Sequence, residues 1–190
     1  MLIDELKQKN LEEKDKTIKV ESVCIKGFLI VFPLVVIGIV AYILIKGGAN
    51  AMIEAPWTTY FLIMLVFAIG FAIHEGIHFI TLLTFSEKGK KSVYYGFDPD
   101  YLKPYIKTNE AITISQYRIL KVLPLIITAI IPYIISYFIG SFILGCASML
   151  LLGMCGVDIL LLLRTIGEKG NSYCTFDEYC YGMKVYKVNK

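Results

Sequence analysis

Apolar and polar positions alternate along this chain in long blocks, not in short periods. Residues 1–26 are polar and read as a solvated helical arm, with six lysines and six acids. An apolar run follows from about Gly27 to Ile45. Gly47-Gly48 and Pro56 then interrupt the pattern. A second apolar run covers about Tyr60 to Phe85, and a lysine-rich stretch extends from Ser86 to Arg118. From Ile119 to Leu163 the chain is almost continuously apolar. As one helix that run would measure about 67 Å, roughly twice a bilayer core. It therefore predicts two spans with a tight turn at Gly140-Ser141.

The elements expected are four transmembrane helices near 27–45, 60–85, 119–139 and 142–164. Pro124 and Pro132 kink the third. Residues 27–166 form the membrane domain, between the arm 1–26 and a C-terminal tail 167–190. Ser92–Ile106, SVYYGFDPDYLKPYI, carries aromatic and β-branched residues around Asp98-Pro99-Asp100. It reads as a short β-hairpin or, equally, as an irregular loop with interfacial tyrosines. The fold class expected is an all-α polytopic membrane protein with one β-hairpin-like segment.

Composition agrees with a membrane protein. The chain is 56% hydrophobic and its mean hydropathy is +0.64. The net charge of +3 is too small to argue for nucleic acid, and no basic stripe with interleaved aromatics occurs. No cleavable signal peptide is evident, because no apolar core starts early. Four spans place 18 of the 19 basic residues on one side, with only Lys46 opposite. The positive-inside rule then puts both termini in the cytoplasm of a cell membrane. Five cysteines, Cys24, Cys146, Cys155, Cys174 and Cys180, make an odd count that argues against a disulfide framework.

Against this background a few ionisable groups stand out deep in apolar spans: His74, Glu75, His78 and Asp158. Arg118 and Lys121 lie at a span edge, where they can snorkel. Charges inside a membrane are costly and mark a functional site by default. His74, Glu75 and His78 form H-E-x-x-H, and they include both histidines of the chain. On a helix, residues four apart lie about 40° and 6 Å from each other. Both imidazoles can thus reach one ion, with Glu75 beside them as general base.

Catalytic zinc takes three protein ligands. Asp158 is the candidate third, because it and the midpoint of the two histidines both lie about 24 Å from the outer ends of their spans. Gly70, Gly76, Gly153 and Gly156 would let the two helices approach closely, or serve ordinary packing. Cys155 is an alternative ligand or a small buried apolar residue. The plain alternative for the whole cluster is a set of His–Asp hydrogen bonds joining two helices.

HEGIH in a second span, the strand-like segment with YGF, the long apolar hairpin and GMCGVD in the last span resemble the putative zincin peptidase family of small bacterial membrane proteins. The likeness runs from about residue 60 to FDEYCYGMKVY. More distantly, the arrangement is similar to the site-2 protease family of intramembrane metalloproteases. The resemblance implies one zinc per chain, with His74, His78 and Asp158 as ligands and Glu75 as base. It implies hydrolysis of transmembrane or membrane-associated protein or peptide substrates. Separately, the Ser92–Ile106 hairpin offers an edge on which an unwound substrate strand could pair. Site-2 proteases usually carry an Asn- and Pro-containing segment leading to L-D-G or P-D-G. Here Gly156-Val157-Asp158-Ile159 stands instead, and no transition-state stabiliser is named. The rival classes are a non-catalytic zinc-binding adaptor or immunity-type protein, and a metal transporter.

Overall fold

The computed structural model of the chain describes residues 11–46, 55–98, 103–176 and 181–187. Gly47-Gly48, Pro99-Asp100 of the expected turn, and Cys180 lie outside the described residues. In chain order the elements are β1 (Glu12–Asp15), α1 (Val20–Lys46), α2 (Trp57–Phe85), β2 (Val93–Asp98), β3 (Lys103–Thr108), β4 (Ile112–Thr113), α3 (Ile114–Leu125), a π-turn (Ile126–Ile130), α4 (Ile131–Ile139), α5 (Phe142–Met154), α6 (Gly156–Leu163), β5 (Tyr173–Phe176) and β6 (Met183–Lys187). The chain divides into two compact units. One comprises Met1–Val23, Ile77–Val122 and Leu161–Lys190, and the other Cys24–Gly76 and Leu123–Leu160.

The second unit is helical and turned inside out relative to a water-soluble domain. Large apolar side chains face outward, with Leu44 77% and Phe138 86% exposed. That surface suits lipid tails, not water. Ser22–Lys46, Trp57–Phe85 and Ile114–Ile139 are each long and apolar enough to cross a membrane, and α5 with α6 makes a fourth if that bent pair counts as one span.

Inside this unit, contact depends on small residues. A Cβ on Gly27 would stand 2.8 Å from the carbonyl carbon of Gly156, and one on Gly156 would stand 2.6 Å from the Gly27 oxygen. The α1 backbone therefore touches the start of α6 directly, as small residues permit between membrane helices. The phenol of Tyr133 donates to the Gly38 carbonyl at 2.6 Å. The turn between α4 and α5 is the expected one. Gly140 ends α4 in the left-handed region (φ 67°), and Ser141 caps α5 by accepting from Leu144 N–H.

Two irregularities depart from straight spans. The fourth run is not one helix 142–164, because α5 and α6 break at Cys155 with a bend of 46°. The third run, expected to kink, contains a full π-turn in which Ile131 N–H bonds the Ile126 carbonyl. Pro132 supplies a cause. Its ring would collide with the carbonyl four residues back, that of Thr128, and it brings no N–H to bond it.

The first unit corrects the all-α expectation. It contains a four-stranded antiparallel sheet in the order β1-β6-β5-β4, and a separate two-stranded sheet β2-β3. The hairpin reading of 92–106 holds for the paired strands, with Val93 opposite Thr108 and Gly96 opposite Tyr105. The helical reading of the N-terminal arm does not hold for Glu12–Asp15, which pair with β6 from Lys187 to Lys184. Nor is 167–190 only a tail, since it supplies β5 and β6. Met183, Val185 and Cys174 are fully buried there, with Ile112, Ile114 and Tyr117. Strand β1 is exposed at all four positions. As an edge strand it carries charges that meet β6 lysines, Glu12 with Lys187 at 2.9 Å and Glu13 with Lys184 at 3.9 Å.

Two buried acids tie this unit together. Glu168 takes Lys14 and Lys16, at 2.9 and 2.7 Å, and these lysines hold its carboxyl below the usual range. Glu110 accepts from Ser86 Oγ and from the N–H groups of Glu87 and Lys88. Among the described residues the cysteines Cys24, Cys146, Cys155 and Cys174 are free thiols.

Candidate metal centre

Helix α2 positions the first part of the site. It is a 29-residue apolar helix without an interior proline, so side chains four apart stay on one face. His74 and His78 are both buried, at 4% and 7% exposure, although the helix exposes large apolar side chains such as Ile69, Ile73 and Ile80. The two imidazoles therefore occupy its inward face. Glu75, about 100° round the helix from His74, is half-buried. Gly76 beside it has open space where a Cβ would sit.

Asp158 arrives from the last run. It lies in the first turn of α6, just past the break at Cys155, and it is 8% exposed. Its Oδ2 stands 3.2 Å from His74 Nε2. One ligand atom from each of His74, His78 and Asp158 can be chosen so that all lie within 4.8 Å of one another. Three residues far apart in sequence are thus brought together as expected.

The donor set fits a zinc ion. Two imidazole nitrogens and a carboxylate oxygen are its customary ligands in catalytic sites. Bonds of about 2.1 Å at tetrahedral angles put ligand atoms roughly 3.4 Å apart. The His74–Asp158 separation is already close to that value.

Cys155 is placed differently. Its sulfur lies 3.8 Å from His74 Nδ1, the nitrogen turned away from Asp158, and it stands outside the ligand set.

Thr128 joins this cluster without having stood out in the sequence. This side chain, 4% exposed in the middle of the π-turn, puts its hydroxyl 3.3 Å from His74 Nδ1. The same hydroxyl donates to the Pro124 carbonyl at 2.8 Å. The available signal was a threonine in an apolar span, four residues from a proline on either side. An outward-facing threonine gives the same signal.

A family model described as "Putative zincin peptidase" matches residues 67–173, the stretch that includes His74, Glu75, His78 and Asp158. No curated protein matches the chain, and neither does any solved structure.

Proposed function

The chain belongs to the putative zincin peptidase family, and on that premise we propose that it is a zinc-dependent intramembrane metallopeptidase. Its substrates in this reading are membrane-embedded or membrane-associated proteins or peptides. One observation carries it: buried His74 and Asp158 meet at 3.2 Å within apolar helices, with His78 one turn further along α2. His74, His78 and Asp158 would hold one Zn²⁺ per chain and leave a fourth position open.

When bound, the ion supplies Lewis acidity toward a scissile carbonyl and toward water. Glu75 then has the proton work. Its carboxylate takes a proton from the attacking water and returns it to the departing amine nitrogen. A helical substrate hides its carbonyls in its own hydrogen bonds, so the segment to be cut must unwind first. With four spans, 18 of the 19 basic residues fall on one side, which supports a multi-pass arrangement in a bacterial-type cell membrane with both termini cytoplasmic.

The test is zinc stoichiometry in detergent-purified protein. About one zinc per chain is expected, lost in His78→Ala and Asp158→Ala. Glu75→Gln should retain the metal and abolish hydrolysis. A folded wild-type protein that takes up no zinc would sink the reading. Full biological function in Glu75→Gln would favour a zinc-binding adaptor instead.

A further inference from the structure

We propose that Thr128 is a positioning residue for His74. Its hydroxyl keeps a hydrogen on Nδ1, so that the lone pair of Nε2 is the one presented toward Asp158. The hydrogen-bond chain points this way. Thr128 Oγ1 has a single hydrogen and two candidate acceptors: the Pro124 carbonyl at 2.8 Å and His74 Nδ1 at 3.3 Å. The shorter bond takes the hydrogen. Toward His74 the hydroxyl is then an acceptor, and Nδ1 must donate. A neutral imidazole has one N–H, so Nε2 carries the lone pair. Nε2 faces a carboxylate oxygen, also an acceptor, at 3.2 Å. Two acceptors at that distance are reconciled by a cation between them. Partners on the far nitrogen of a metal-binding histidine are what orient the ring and set its tautomer.

The fold is built to seat this hydroxyl. A π-turn holds one residue more than an α-turn and occurs mostly at functional sites. Thr128 is its central residue, and Pro132, four residues on, disfavours regular α-helix there. Cys155 is the competitor. With the threonine hydroxyl gone, the thiol 3.8 Å from Nδ1 is a donor, and it would turn Nδ1 into an acceptor and drive the hydrogen to Nε2.

The affinity part of this inference rests on the zinc reading, while the placement of the hydrogen does not. The experiment therefore has two readouts on the full chain in detergent. The chain has only two histidines, so ¹⁵N-histidine labelling gives two imidazoles, and His78→Gln assigns them. In wild type and Thr128→Ser, His74 Nδ1 should carry hydrogen. In Thr128→Val, a near-isostere without the hydroxyl, Nδ1 should be bare. Zinc affinity, read by competition with a chromophoric chelator, should fall about 10–100-fold in Thr128→Val and stay within about threefold of wild type in Thr128→Ser.

A bare Nδ1 in wild type overturns the proposal even if no variant folds. So does Thr128→Val with wild-type nitrogen shifts, or Thr128→Ser that weakens as far as Thr128→Val, which would assign the effect to the lost methyl. If wild type takes up no zinc, the metallopeptidase reading falls and the nitrogen shifts alone decide the role of Thr128.

Discussion

Replacing Glu110 by Gln tests how firmly the chain is tied down just after helix α2. Glu110 is 2% exposed, and burial alone would push its carboxyl up. Hydrogen bonds from Ser92, from the N–H groups of Lys88 and Glu87, and from Ser86 more than offset this and hold it at about 2 instead of 4.5. That difference corresponds to about 3 kcal/mol of preference for the ionised form. Because the folded value is depressed, the stabilisation is fully present above pH 4.5 and is lost as the pH falls toward 2.

Glutamine resembles the protonated acid, so the variant should behave near neutrality as wild type does in strong acid. The readout is hydrogen exchange at the Glu87 and Lys88 amides, which donate to the carboxylate at 2.8 and 3.0 Å. Comparing variant with wild type at the same pH cancels the intrinsic exchange rate. At pH 6.5 the variant should exchange about 100-fold faster at these amides, and the ratio should shrink steadily below pH 4.5. A ratio under about three at pH 6.5, or one that does not change between pH 6.5 and 3, would refute the account of this carboxylate.

Gly27→Ala and Gly156→Ala each drive a methyl into backbone. Each should cost about 1–3 kcal/mol in detergent unfolding and lower zinc content, whereas Gly76→Ala, with open space, should match or exceed wild-type stability. Arg118 donates to Thr165 Oγ1, the Thr165 carbonyl and the Glu168 carbonyl at 3.0, 2.8 and 2.9 Å. Arg118→Lys cannot reproduce that fork and should speed hydrogen exchange across 164–170 by about tenfold, roughly one lost hydrogen bond. Finally, His74→Leu/His78→Leu/Asp158→Leu should be as stable as metal-free wild type or more so, because apolar replacement of a buried polar cluster is often neutral or favourable. A loss above about 3 kcal/mol would make the cluster a structural one.

What could be read from the sequence was local. Apolar runs, H-E-x-x-H, the Gly140-Ser141 turn and the aromatic strands around residue 98 all signal themselves within a few residues. Asp158 could be paired with the histidines because helix rise converts sequence position into depth. The four-stranded sheet could not be read in the same way. Glu12 pairs with Lys187 across nearly the whole chain, and Glu-Glu-Lys-Asp by itself favours a solvated helix over a strand. The break at Cys155 was equally hidden. It lies beside the close approach of Gly27 to Gly156, which depends on another helix. Pro132 marked a disturbance in the third span, but whether it gave a kink or a π-turn depended on what the widened turn could bond.

These irregularities bear on what the buried charges are for. A His–Asp pair that only joins two membrane helices can sit on regular helices. It needs neither a second histidine one turn away nor a particular tautomer. Here the departures from regular helix fall beside the polar cluster: the α5–α6 break ends three residues before Asp158, and the π-turn is centred on the threonine that touches His74. Each departure gives up regular helical hydrogen bonding in a lipid setting, where that loss is expensive. Sequences keep such local conflicts mainly where function requires them. Ionisable groups inside a membrane are themselves costly and tend to be functional. Both kinds of cost meet around His74 and Asp158, where His78 completes a set of donors that could hold a metal ion.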